Sequence, residues 1–261
     1  MKLGIIGGSG IYDIEGLGAT EEISVETPYG KPSAHYRAGK IEDRKVVFLP
    51  RHGADHSIAP HKINYRANIW GFKSLGVEKI ISVGAVGGIS GNLKPGDLVV
   101  LDQLIDFTFG ARQSTFFEDD KVAHIDFTEP YCAEMRKTVL SVAENIGLAV
   151  KENGSYICVN GPRLETAKEI RHFSMIGADV VGMTGMPEAA LAREAEICLC
   201  GMAVVTNYAA GISKNKLTVT EVIETMKKST DNLKKLIREF VLQLPAERNC
   251  DCKDALKNAV M

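Results

Sequence analysis

Five short stretches of this chain pair small residues with groups that hold anions. "GGSG" (Gly7 to Gly10) follows the apolar run Met1 to Ile6, and "FLPRHG" ends in Arg51 and His52. "ISVGAVGG" ends in Gly84, Ala85 and a glycine pair, and "VVGMTGMPEAA" ends in Met183 and Thr184, ahead of Pro187 and Glu188. "VVTNYAAG" ends in Asn207. An arginine, a histidine, the hydroxyls of Ser9 and Thr184 and several exposed amides together suit a free phosphate dianion. Each stretch follows an apolar run of strand type, and in open α/β sheets the ligand crevice lies outside the carboxyl ends of the strands. The first stretch is not a dinucleotide fingerprint, because Asp13 stands where the third glycine belongs, and it is not a P-loop, because no lysine follows. That argues against a nucleotide-dependent oxidoreductase. A tight strand-to-helix turn without a ligand is the plain alternative for this stretch alone.

The elements that must position these residues show in the periodicity. Apolar, β-branched runs recur at Val46–Leu49, Lys79–Val83, Leu98–Leu101, Ser155–Val159, Asp179–Val181 and Ile197–Thr206. Helix-period stretches lie between several of them, near 61–76, 131–147, 164–176 and 187–196. Strand alternating with helix predicts an α/β sheet covered on both faces. For the last helix, Thr218 and Glu221 form a capping box, and Val222, Ile223, Met226, Leu233, Ile237, Phe240 and Val241 form the apolar stripe. Pro245 ends it. With no repeat, linker or composition break, the expected organisation is one domain over 1–245 and a polar tail over 246–261.

The bulk properties narrow the class. The 261 residues carry a formal net charge of −2 with no long run of one sign, which makes nucleic acid and anionic membrane poor partners. No stretch has the length of a membrane span, and the first residues lack the form of a signal peptide, so a cytoplasmic enzyme is expected. The cysteines are Cys132, Cys158, Cys198, Cys200, Cys250 and Cys252. Two Cys-x-Cys pairs invite a zinc reading, but structural zinc sites usually space their cysteines more widely. On a strand, Cys198 and Cys200 fall on one face and read as core thiols.

Four motifs carry a family resemblance: "PRHG…H…P…NYRANIW" (Pro50 to Trp70), "EPYC" (Glu129 to Cys132), "GPRLET" (Gly161 to Thr166) and "MTGMPE" (Met183 to Glu188). With them the chain resembles the purine nucleoside phosphorylase and 5′-methylthioadenosine phosphorylase family from Gly4 to about Leu244. The resemblance implies a single α/β domain with a mixed central sheet flanked by helices, assembly as a homotrimer or a dimer of trimers, and no cofactor or metal. The implied reaction is reversible phosphorolysis, in which nucleoside and inorganic phosphate give free purine and a pentose 1-phosphate. Carried over residue by residue, Ser9, Arg51, His52, Gly84, Ala85 and Thr184 would hold phosphate. Met183 would lie against the pentose, with Leu164, Asn207, Tyr208 and Ala209 around the substrate. His124 matches a residue that reaches into the neighbouring subunit's site. Gly84 is a departure, since many relatives have threonine or asparagine there and glycine offers only its backbone.

The same resemblance divides substrates. Glu165 and Asn207 match the pair found in relatives that act on 6-oxopurines, whereas 6-aminopurine enzymes carry a small hydroxyl residue and an aspartate. A carboxylate accepts the N1–H of hypoxanthine or guanine, and an asparagine donates to O6 or N7. Val219 stands where ribonucleoside enzymes often place histidine, which favours a 5′-methylthio group and hence 5′-methylthioinosine. A broad inosine/guanosine phosphorylase and a 5′-methylthioadenosine phosphorylase are the near alternatives, and a non-catalytic purine-binding protein is the distant one. Some heat-adapted relatives carry a similar Cys-x-Cys near the C-terminus. The resemblance thus suggests a bridge between Cys250 and Cys252 and another joining Cys132 to Cys198 or Cys200, with free thiols as the competing reading.

Overall fold

The computed structural model describes residues 2–8, 14, 16–110, 112–118, 121–213 and 219–261, without the side chains of Val219, Glu221, Val222 and Lys228. Among the described residues nine strands and five α-helices follow one another: β1 (Lys2–Gly7), β2 (Glu21–Ile23), β3 (Tyr36–Ile41), β4 (Arg44–Pro50), α1 (Tyr65–Ser74), β5 (Lys79–Gly88), β6 (Leu98–Phe107), α2 (Ala133–Asn145), β7 (Val150–Val159), α3 (Ala167–Met175), β8 (Val180–Gly182), α4 (Gly185–Glu194), β9 (Cys198–Tyr208) and α5 (Val219–Gln243). The strands form a single mixed sheet in the order β2-β3-β4-β1-β5-β8-β7-β6-β9. A further parallel pairing of β9 with β5 closes the last five strands into a ring.

Period-two alternation sorts the central strands between two apolar layers. On β9, Cys198, Cys200, Met202 and Val204 face one layer, while Leu199, Ala203 and Val205 face the other. On β5, Ile81 and Val83 join the first layer, and Ile80 and Val86 the second. Helices α2 and α5 cover the first layer with Met135, Val139, Leu233, Ile237 and Phe240, and α1 and α4 cover the second with Ile69, Phe72 and Leu191. A smaller cluster beneath α3 holds Ile157, Ile170, Phe173 and Val181. Burial on both faces explains why these strands read as continuous apolar runs.

The structure departs from the sequence expectation in instructive places. Strands β2 and β3 were not expected. The segment "YRAGKI" has weak alternation and becomes a strand by pairing antiparallel with β4 across the tight turn at Glu42 and Asp43. Ile223 is 62% exposed, because the apolar layer takes up α5 only further along, from Met226 through Leu233 and Leu236. The Thr218 cap lies outside the described residues. A capping box does occur on α3, where Thr166 Oγ1 accepts from Glu169 N–H (3.2 Å) and the Glu169 carboxylate accepts from Thr166 N–H (2.7 Å). After α5 the chain stays tied to the sheet. Lys79 Nζ donates to the carbonyls of Pro245 (2.6 Å) and Glu247 (2.8 Å), Cys252 is buried, and Val260 bridges Ala123. Among the described residues no helix is long and apolar enough to cross a membrane.

Candidate active site

Strands β1, β4 and β5 run parallel, with Ile6 opposite both Leu49 and Ser82. The carboxyl ends of β1 and β4 therefore coincide beside the middle of β5, and Arg51 N–H donates to the Gly7 carbonyl at 3.0 Å. Gly8 comes close to His56, whose ring packs 4.6 Å from that of His52. Gly7, Gly8, Arg51 and His52 thus meet at one edge, and Ser9 and Gly10 lie outside the described residues. Strand β8 arrives from the opposite direction, antiparallel to β5, with Val181 opposite Gly87 and Val180 opposite Gly88. Continuing that register brings Thr184 back toward Gly84, and both line a small cleft of about 20 Å³ with Arg51, Ser82 and Gly185. On β5 Ser82 and Gly84 are half-buried and Ala85 exposed, while the other residues are buried, and a Cβ on Gly84 would meet nothing within 4 Å. Open space therefore lies in front of Gly84.

Arg51 is 2% exposed and is held on several sides. Its Nε donates to Glu188 Oε1, and its Nη2 donates to Glu188 Oε2 (3.0 Å) and Ser82 Oγ (2.8 Å). Nη1 donates to the Val83 carbonyl at 2.8 Å, and Ser82 Oγ donates to Glu188 Oε2 at 2.7 Å. Burial alone would depress the guanidinium pKa, but the charge and hydrogen bonds of Glu188 outweigh it and the net shift is upward. A guanidinium has five N–H donors, so these bonds leave Nη1 with one hydrogen for a ligand. Arg51 thereby offers a fixed positive charge more than a free fork.

His52 Nδ1 donates to the Ile58 carbonyl (2.8 Å), which leaves Nε2 as its other polar atom. Burial pushes its imidazole down to about 4, and repulsion from Arg51 and His56 adds to the fall. The unfolded group titrates near 6.5. The sign follows from proton uptake: below that value the unfolded chain binds the proton first. Stability carried by His52 is present above pH 6.5 and is lost as pH falls toward 4. In phosphate-free buffer the melting temperature of the parent should fall more steeply across that window than that of His52→Gln. Equal slopes would refute the assignment.

Thr184 is the N-cap residue of α4 but makes no side-chain cap bond. Its N–H and that of Gly185 donate to the Tyr156 hydroxyl at 3.1 and 3.4 Å. A side chain on Gly182 would collide with that hydroxyl, which explains the glycine before Met183. Arg112 locks the next residue, since its Nη1 donates to the Met183 carbonyl and its Nη2 to the Asn160 carbonyl (2.7 Å). Met183 Sδ covers Gly161, where any Cβ would clash. The loop carrying Leu164 and Glu165 is thereby set against Met183.

The far end of the site comes from β9. Asn207 is 8% exposed, and its Oδ1 accepts from Thr206 Oγ1 (2.8 Å) while its Nδ2 donates to the Tyr208 carbonyl (2.9 Å). One Nδ2 hydrogen is left over. Ala209 is buried and anchored by its N–H to the Gly88 carbonyl (2.8 Å). Gly211 has φ +79 and presses on Ala167, where a Cβ would come within 2.6 Å of the alanine side chain. That contact seats the start of α3, and with it Glu165, against the β9 end. Burial pushes the Glu165 carboxyl upward, with the charge of Glu169 adding to the shift. Leu164 and Tyr208 remain 48% and 39% exposed at the mouth. The Val219 side chain lies outside the described residues. His124 is exposed and distant in sequence from all of these, with its N–H donated to the Ala259 carbonyl (2.8 Å).

The site thus has an anion end at the carboxyl edges of β1 and β4 beside the middle of β5, and an amide-and-carboxylate end at β9, with Met183 on the segment between them. Comparison with known proteins decides the family. The profile of the Phosphorylase superfamily matches residues 2–242. The chain belongs to that superfamily. Over 99% of its length it is 58% identical to a protein of Thermodesulfovibrio yellowstonii described as a probable S-methyl-5′-thioinosine phosphorylase, covering 97% of it. It is 51% identical to the 6-oxopurine nucleoside phosphorylase of Pyrococcus furiosus, covering 99% of this chain and 98% of the relative. Among solved structures, a methylthioadenosine phosphorylase from an antarctic soil metagenomic library superposes with a TM-score of 0.94 at 37% identity, covering 99% of this chain and 92% of that one.

Within this superfamily member, four supporting residues escaped the sequence reading: Ser82, Arg112, Tyr156 and the ion-pair role of Glu188. The sequence marks Glu188 only as part of a helix start. The signal available was the charge of Arg51 at the end of the apolar run "VVFL", which demands a buried acidic partner without naming it.

Proposed function

We propose that the chain catalyses the reversible phosphorolysis of 6-oxopurine nucleosides, with 5′-methylthioinosine as the preferred substrate. The observation that carries the base assignment is Asn207, whose Oδ1 is engaged by Thr206 and which therefore turns its amide nitrogen, a donor, toward the end of β9. A donor suits O6 or N7, and an ionised Glu165 accepts N1–H. The relatives named for methylthioinosine and for 6-oxopurine nucleosides support the same reading. Inorganic phosphate is the co-substrate, held by Ser9, Arg51, His52, Thr184 and the backbone at Gly84 and Ala85. The reaction needs no cofactor.

Glycosidic cleavage develops positive charge on the sugar and negative charge on the departing purine. A phosphate dianion fixed below the sugar stabilises the first charge and is positioned to attack. A hydrogen bond from the remaining Asn207 Nδ2 hydrogen stabilises the second. Met183 packs against the pentose, and Val219 gives apolar contact to the methylthio group, worth about 1–3 kcal/mol. We place His124 at the site of a neighbouring subunit in a trimer, where its exposed ring would close the sugar end.

The test is a panel of inosine, guanosine, adenosine, 5′-methylthioinosine and 5′-methylthioadenosine, each with and without phosphate. Hypoxanthine should appear from 5′-methylthioinosine only when phosphate is present. Equal or faster turnover of 5′-methylthioadenosine would sink the base assignment, and release without phosphate would sink the phosphorolysis. Preference for inosine or guanosine would favour the broad inosine/guanosine phosphorylase instead.

A further inference from the structure

Four cysteines that are remote in sequence come together at the end of the sheet opposite the candidate active site. The sulfurs of Cys132, Cys198, Cys250 and Cys252 all lie within 4.8 Å of one another. The sulfurs of Cys198 and Cys250 lie 3.4 Å apart. All four are free thiols. Cys132 is the N-cap residue of α2, Cys198 opens β9, Cys250 is the N-cap of a short 3₁₀ helix over Asp251–Asp254, and Cys252 lies within it. From these positions we infer that the four sulfurs form a closed structural site for a soft divalent cation of the zinc class, fastening the C-terminal tail to the sheet.

The distances suit that ion. A tetrahedral centre with zinc–sulfur bonds of about 2.3 Å sets its sulfurs about 3.8 Å apart, so the cluster needs to adjust by no more than about 1 Å. Four thiolates around a divalent ion leave a net double negative charge, which a buried place must offset. Two groups supply that offset. The Cys132 sulfur sits at the N-cap of α2, at the positive end of the helix. Arg193 Nη1 donates to Cys252 Sγ at 3.7 Å. With all four positions taken by sulfur, no position is open for substrate or water, so the role is structural. Cys198 and Asn207 stand at opposite ends of β9, about 30 Å apart at the rise of an extended strand.

The wide spacing expected of zinc cysteines fails here for a physical reason. That spacing serves sites in which one turn supplies both ligands of a pair. Here β9 supplies Cys198 but not Cys200, and the helix cap supplies Cys132, so the short Cys250-x-Cys252 segment closes a half-site that is already rigid.

Cobalt and zinc titration of the reduced, metal-free full chain tests this independently of catalysis. About one equivalent of Co²⁺ per chain should bind, with a sulfur-to-metal charge-transfer band and the strong visible bands of a tetrahedral ion, and Zn²⁺ should displace it. The Cys250→Ser/Cys252→Ser variant should lose the band, and Cys200→Ser should keep it. Cys250→His, which retains a ligand atom, should bind cobalt with about a quarter less charge-transfer intensity, as one of four sulfurs is gone. Zinc should also protect the four thiols from air oxidation. Absence of the band in the folded, reduced protein overturns the proposal. So does formation of disulfides among these four residues in the presence of stoichiometric zinc, which would make the cluster a redox staple.

Discussion

Replacing Glu188 by alanine should destabilise the protein by about 3–5 kcal/mol and cut kcat/KM for phosphorolysis on the order of 10²-fold. Both effects come from one arrangement. Arg51 and Glu188 are 2% and 0% exposed, and Glu188 takes two donors from the guanidinium and one from Ser82. Without the carboxylate, a buried cation loses its partner and two of its fixed bonds, so it both costs folding energy and drifts from the position in which it would meet phosphate. The neutral double variant Arg51→Met/Glu188→Leu separates these consequences. Removing both charges leaves no buried ion uncompensated and should recover most of the stability, while activity stays lost. Thermal melts together with initial rates at varied phosphate read out the two effects. Were the double variant as active as the parent, Arg51 would have no part in holding phosphate.

Exchange of Asn207 for aspartate should shift the ratio of 6-amino to 6-oxo turnover toward 6-aminopurines, and adding Glu165→Ser should carry it further, by up to about 10⁴-fold in total. Asparagine presents a donor where an ionised aspartate presents only lone pairs, which repel O6 and accept from an exocyclic amine. The exchange also has a structural cost. The Asn207 Nδ2 now donates to the Tyr208 carbonyl at 2.9 Å, and an aspartate oxygen there would face that carbonyl without a proton. A loss of about 1–3 kcal/mol in stability should accompany the single exchange. Competition between 5′-methylthioinosine and 5′-methylthioadenosine in one reaction gives the ratio directly. A double variant that keeps its parent's ratio would show that neither residue reads the base.

Much of the molecule was legible in the sequence because side-chain period is a local property. Runs such as Val46–Leu49 and Ile197–Thr206 lie in strands of the structure, and the helix-period stretches near 131–147 and 164–176 hold α2 and α3. Period two even sorted Cys198 and Cys200 onto one face of β9, as the apolar layers show. The motifs likewise marked Arg51, His52, Thr184 and Asn207 as residues at strand ends. Partners, direction and closure needed the folded chain. Nothing local to "VVG" says that β8 runs antiparallel to β5, yet that reversal is what brings Met183 and Thr184 back toward Gly84. Arg51 finds its counter-ion 137 residues away, because the ring of strands sets the start of α4 beside the end of β4 and the middle of β5. The four thiols gather for the same reason, with Cys198 rather than Cys200 joining Cys132 and the tail, since only the first of the pair sits where β9 begins beneath the α2 cap. A sequence specifies which faces must be buried through nearest-neighbour periodicity. Which buried faces meet is decided by sheet order and strand direction, and those depend on the packing of the whole chain at once.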